Sequence, residues 1–141
     1  MTIYYFAYGS NMAESQIKFR CADSGFIGIS KLNNKSFYIN ARGVASIKDK
    51  AESYVQGVVW ALSNRDVKSL DAYEGYPSLY IKKYYEILIN DRAVNILVYV
   101  STNLESGNPI EGYLEKIIKT AQALSFDNEY ILELYTWTSQ D

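Results

Sequence analysis

The order of its β-rich runs constrains this chain most. Aromatic and β-branched residues crowd into short stretches bounded by Gly, Asn, Ser and Pro, and helical spacing takes over only in the middle and at the end. Ile3 to Tyr8 reads as a buried strand that stops at Gly9-Ser10-Asn11. Ser10 or Asn11 is then placed to cap a short helix through Met12, Ile17 and Phe19. Phe26 to Leu32 and Ser36 to Ile39 flank Asn33-Asn34, which predicts a hairpin turn because Asn tolerates positive φ. Ala41 to Glu52 is more polar and reads as irregular, whereas Tyr54 to Leu62 reads as a central strand. Gly57 within it marks a bulge or a close approach.

Ser63 or Asn64 caps the next segment, where Val67, Leu70 and Tyr73 follow at helical spacing until Gly75 and Pro77 end it. Tyr80 to Ile89 and Ala93 to Ser101 form a hairpin about Asn90-Asp91-Arg92. Tyr113, Ile117, Ala121 and Leu124 give the longest helix, and Phe126 to Trp137 a second, with Asp127 or Asn128 near its start. About six strands, a helix in the middle and two at the end predict an α+β domain. Its small mixed or antiparallel sheet curls in a barrel-like way and is flanked by helices.

Composition narrows the chemistry. The 141 residues suit one domain over 1–141, and 48% hydrophobic residues are enough for a core. Fourteen Lys and Arg against 16 Asp and Glu, with no basic cluster, argue against a nucleic-acid partner. The chain has no His, which removes Ser-His-Asp and Cys-His nucleophilic machinery and makes a metal site unexpected. Its one Cys, Cys21, allows no intrachain disulfide, points to a reducing compartment and reads as a small core residue. Neither a basic signal-type start nor an apolar run of membrane-crossing length is present, so a soluble, cytoplasmic chain without a membrane partner is expected. The surplus is in Tyr, of which there are 14. Most suit half-buried strand positions, and any that converge on a pocket supply neutral hydrogen-bond donors.

Two stretches could carry chemistry. Tyr8-Gly9-Ser10-Asn11-Met12 leads a strand into a helix start, where backbone N–H groups and the helix-end partial charge suit a carboxylate or another anion. A plain strand-to-helix turn with a cap explains the same residues. Leu70-Asp71-Ala72-Tyr73-Glu74-Gly75-Tyr76-Pro77 puts a carboxylate in the last turn of a helix, where the dipole disfavours it. Tyr73, Tyr76 and Tyr80 around Glu74 would desolvate it and raise its pKa, suiting proton transfer. An exposed Glu near a helix end is the alternative. Asp71 reads equally well as a helix-surface residue or a second carboxylate, at least one of Lys82 and Lys83 should face solvent, and Arg20, Arg42, Arg65 and Arg92 read as isolated surface charges.

Taken together, Tyr8-Gly9-Ser10-Asn11 after an N-terminal strand and Leu70-Asp71 with Glu74-Gly75 downstream resemble the γ-glutamylcyclotransferase family, including its AIG2-like members. Tyr80, Tyr99, Asn108-Pro109 before Tyr113-Leu114-Glu115-Lys116-Ile117, and Tyr130 extend the resemblance over nearly the whole chain. Met12 where Leu is usual, Thr120-Ala121 for a Gly-Ala pair and Ser125-Phe126-Asp127 for a Gly-Leu-Pro-like turn depart from it.

The resemblance implies a small γ-glutamyl amide substrate whose own α-amine attacks the γ-carbonyl, giving 5-oxoproline and a free amine or amino acid. Neither metal nor cofactor is implied. Positioning of an intramolecular attack can contribute on the order of 7–11 kcal/mol. Glu74 would be the catalytic acid–base group. Tyr8, Gly9, Ser10, Asn11, Met12, Tyr80, Tyr99 and Tyr113 would bind substrate, the Gly9–Asn11 backbone holding either the α-carboxylate or the carbonyl oxygen. A γ-glutamylamine-specific cyclotransferase and a non-catalytic small-molecule-binding module of the same fold are the other readings. No stripe of residues announces an oligomer surface.

Overall fold

The computed structural model describes residues 2–138. A central strand β1 (Ile3–Ala7) is buried progressively along its length and organises a five-stranded sheet of order β2-β3-β1-β5-β4. β3 (Ala45–Leu62) runs antiparallel to β1 with Ile3 opposite Leu62 and Ala7 opposite Val58. β5 (Arg92–Ser101) lies parallel on its other side, with Tyr4 opposite Ile96. β4 (Tyr80–Ile89) closes the hairpin with β5 in register from Tyr80–Ser101 to Ile89–Arg92. The sheet is thus mixed, with one parallel pair among antiparallel ones.

Five strands stand where about six were expected, because β2 (Gly25–Ile39) is one long strand. Asn34 does take a positive φ of 62°, but as a bulge with a register shift between Asn33 and Lys35, opposite Glu52 at φ 63°. The Asn34 side chain accepts the Glu52 N–H at 3.3 Å, so the two left-handed residues bend the ladder without reversing it. The true reversal is at residues 40–44, and the polar stretch read as irregular is mostly the first half of β3. Lys48, Asp49 and Lys50 are polar there because the strand emerges into solvent after the buried Ala45, Ser46 and Ile47. Gly57 marks a close approach: a Cβ would lie 2.5 Å from the Ala7 carbonyl oxygen and 2.7 Å from the Phe6 ring.

The sheet curls. Tyr80 of β4 donates its phenol proton to the Ala45 carbonyl of β3 at 2.8 Å, and Ser101 N–H of β5 donates to Ser46 Oγ at 2.9 Å. Lys35 of the β2 edge lies over the Tyr85 ring of the β4 edge. After β1 comes a single 3₁₀ turn (Ser10–Met12) and then α1 (Glu14–Arg20), and no side-chain cap starts either of them. Asn11, expected as a cap, turns its amide into the interior, and Phe19, expected on the apolar face, is 77% exposed.

α2 (Asn64–Glu74) begins with a capping box, Ser63 accepting from Asp66 N–H while Asp66 accepts from Ser63 N–H, and ends on Gly75 in the left-handed region at φ 66°. α3 (Tyr113–Ala123), equal to α2 at 11 residues, and α4 (Asn128–Tyr135) bury Leu114, Ile117, Ala121, Tyr130 and Leu134 against the sheet in one core with Phe6, Val58 and Ile96. Among the described residues, no helix is long and apolar enough to cross a membrane.

Candidate active site

Glu74 is the last residue of α2, and the left-handed Gly75 turns the chain away immediately behind it. Its carboxylate therefore hangs from a helix C-terminus into a cavity of about 220 Å³. Burial is the dominant influence on it and pushes its pKa from the ordinary 4.5 up to about 7, while the Arg20 and Arg42 guanidiniums pull the other way. A carboxyl group near 7 can both take and return a proton at neutral pH.

The Gly9-Ser10-Asn11 bend forms another wall of this cavity. The first bond of the 3₁₀ turn runs from Met12 N–H to Gly9 C=O, so the N–H groups of Gly9, Ser10 and Asn11 precede it and find no partner inside the turn. Asn11 links bend and acid. Its Nδ2 donates to Tyr5 Oη at 3.1 Å and reaches Glu74 Oε1 at 3.5 Å, and its Oδ1 accepts from Arg20 at 3.1 Å. Trp60 Nε1 donates to the Asn11 carbonyl at 2.9 Å and fixes the bend from below.

The phenols differ in what their protons do. Tyr99 Oη donates to Asp71 Oδ1 at 2.5 Å, Tyr8 Oη donates to the Tyr99 carbonyl at 2.5 Å, and Tyr80 donates to Ala45. Tyr113 Oη instead accepts the Ala45 N–H at 3.0 Å and, among the described residues, has no acceptor for its own proton, which stays available at the cavity wall. Burial pushes the Tyr113 phenol up to about 12, so it stays a neutral donor. A Cβ on Gly9 would come within 3.3 Å of that phenol oxygen, so glycine keeps the space between them open.

Of the residues expected at a site, Tyr8, Gly9, Ser10, Asn11, Glu74, Tyr80, Tyr99 and Tyr113 line this one cavity. Met12 does not: it is 2% exposed and packs in the core, because the 3₁₀ turn directs it inward. Tyr76, expected to shield Glu74, is exposed and covers Lys82, with the ammonium 4.3 Å from its ring centroid. Tyr73 and Tyr80 do line the cavity. Asp71 is drawn to Tyr99 and to Lys82 at 2.9 Å, so it supports a cavity wall from behind, and Lys83 is the exposed member of the lysine pair. Arg20, Arg42 and Tyr5 are the polar additions, beside the apolar Val44, Ala45 and Leu79. Arg20 lies 4.9 Å from the Tyr73 ring centroid and Arg42 5.8 Å from that of Tyr80. Both arginines had read as surface charges, and nothing in their local sequence marks them otherwise.

Residues 5–117, which include this bend, the acid and Tyr113, match the family described as Gamma-glutamyl cyclotransferase, AIG2-like. The chain belongs to that family. A γ-glutamylcyclotransferase of Mus musculus is 30% identical over 92% of this chain and 75% of its own length, and one of Homo sapiens is 28% identical over 89% and 73%. A solved structure of a γ-glutamyl cyclotransferase superposes with a TM-score of 0.89 at 25% identity, covering all of this γ-glutamylcyclotransferase-family chain and 90% of the other.

Proposed function

We propose that this chain is a γ-glutamylcyclotransferase that closes the glutamyl part of a small γ-glutamyl amide to 5-oxoproline and releases an amine or amino acid. The observation that carries the reading is a carboxyl group with a pKa near 7 sharing one small cavity with an N–H-rich bend and a free phenol donor, in a chain of this family.

The chemistry needs no protein nucleophile. Glu74 takes a proton from the substrate α-ammonium, and the freed amine attacks the γ-carbonyl carbon. The bond from that carbon to the departing nitrogen then breaks as Glu74 returns a proton to it. In all, two protons leave the α-nitrogen as it becomes a lactam N–H. Two arrive on the departing nitrogen as it becomes an ammonium, so the balance is closed. The Gly9–Asn11 N–H groups hold the α-carboxylate or the charge that builds on the carbonyl oxygen, and Tyr113 donates to the same region. Tyr8, Tyr80 and Tyr99 shape walls that keep the glutamyl chain folded back on itself.

A panel of γ-glutamyl amino acids and γ-glutamyl amines, with 5-oxoproline and glutamate both quantified, tests the reading. Stoichiometric 5-oxoproline and free amine are expected. Glutamate as the product would indicate water attack, and binding without turnover would indicate a non-catalytic module. Either result contradicts it.

A further inference from the structure

Among the described residues the Arg42 side chain finds no hydrogen-bond partner and meets the fold at the Tyr80 ring, 5.8 Å from its centroid, yet its backbone is closely held. It sits in the reversal between β2 and β3, its side chain is exposed, and among the described residues it forms no ion pair. The backbone beneath it is pinned. Asn40, completely buried, accepts the Arg42 N–H at 2.9 Å and the Val44 N–H at 3.3 Å through Oδ1, and its Nδ2 donates to Ser101 Oγ at 2.9 Å. Gly43 follows at φ +86° against Ile110, where a Cβ would come within 2.9 Å of the Ile110 backbone nitrogen. A buried polar network of this kind rigidifies what it carries. Here it carries a guanidinium to the rim of the cavity that holds Glu74.

We infer that Arg42 is the specificity-determining residue of this site, receiving a carboxylate on the departing half of the substrate. The inference rests on the cyclotransferase reading above and deepens it. The glutamyl half must enter first, because its α-amine has to reach Glu74 beside the buried Asn11. The departing half then faces the open side, where Arg42 stands. Arg20 cannot serve the same end equally well, because its guanidinium is already tied to Asn11 Oδ1 at 3.1 Å and lies over the Tyr73 ring. It is also the stronger of the two in lowering the Glu74 pKa, which agrees with Arg42 lying farther out. The planar fork of an unpaired arginine matches a carboxylate in two parallel hydrogen bonds. The site therefore favours a departing amino acid with a free carboxylate over a departing amine without one.

The test compares γ-glutamyl-alanine with its C-terminal carboxamide, using kcat/KM for 5-oxoproline release. Wild type is expected to prefer the free acid on the order of 10-fold or more, as one charge-assisted contact allows. Arg42→Ala should bring the ratio near 1, mainly by raising KM for the acid, because the contact exists in ground and transition states alike. Arg42→Lys, which keeps the charge but not the fork, should restore part of the preference. A wild-type ratio near 1, or a preference that survives in Arg42→Ala, overturns the assignment while leaving cyclisation intact. If wild type releases no 5-oxoproline from either compound, the cyclotransferase reading fails and takes this one with it.

Discussion

Glu74 occupies a position that solvation and helix electrostatics both penalise, a cost that the proposed proton-transfer role would explain. Its pKa of about 7 in the fold against an ordinary 4.5 makes the native state the better proton binder between those values. The stabilisation linked to its protonation is complete below about pH 4.5 and is lost as pH rises through 7. That loss amounts to on the order of 3 kcal/mol, at 1.36 kcal/mol for each pH unit of difference. Glu74→Gln keeps the shape and removes the charge, so its stability relative to wild type should rise with pH. Thermal or urea unfolding of both proteins at pH 5 and pH 8 checks this, and an equal difference at the two pH values would contradict it. Glu74 was legible in the sequence because it breaks a local rule in aromatic company. Arg20 and Arg42 were not, since a charge at a helix end or in a turn reads the same whether or not a cavity lies beside it.

At the scale of elements, local signals identified most of the structure. The Ser63 cap and Gly75 stop of α2, the β4–β5 hairpin and the two C-terminal helices follow from turn chemistry and periodicity. The β2 bulge did not, because positive φ at Asn34 suits a bulge as well as a turn, and the partner strand decides between them. Ser125 shows a local rule broken away from the site. It stands at φ 56° just after α3, with its N–H bonded to the Gln122 carbonyl at 3.1 Å and the Phe126 N–H to the Ala121 carbonyl at 3.0 Å. This paired pattern is the one that glycine ends best. A left-handed residue with a Cβ costs roughly 1–2 kcal/mol, part of which glycine gives back as extra freedom in the unfolded chain. Ser125→Gly should therefore stabilise the protein by about 0.5–1 kcal/mol in urea unfolding, with turnover unaltered. A lower midpoint would show that the serine side chain matters more than the backbone strain.

At the scale of the molecule, the cavity is assembled from segments that the strand order brings together. The end of β1 and its bend, the end of α1, the 40–44 reversal, the end of α2, the start of β4, the end of β5 and the start of α3 each supply a wall. Two of these carry motifs that a sequence displays. The rest meet only because β1 lies between β3 and β5 and the sheet curls until Tyr80 reaches Ala45, which depends on pairings many residues apart. The bend and the acid could be named from the chain alone, whereas their shared cavity, the free proton of Tyr113 and the two arginines required the fold. The account depends on Glu74 moving the proton that starts ring closure. Measuring kcat/KM for 5-oxoproline release by Glu74→Gln beside wild type, with both shown folded by circular dichroism, tests it most directly. A fall on the order of 10²- to 10⁴-fold is predicted from the loss of a general acid–base group. Turnover within about threefold of wild type would contradict it.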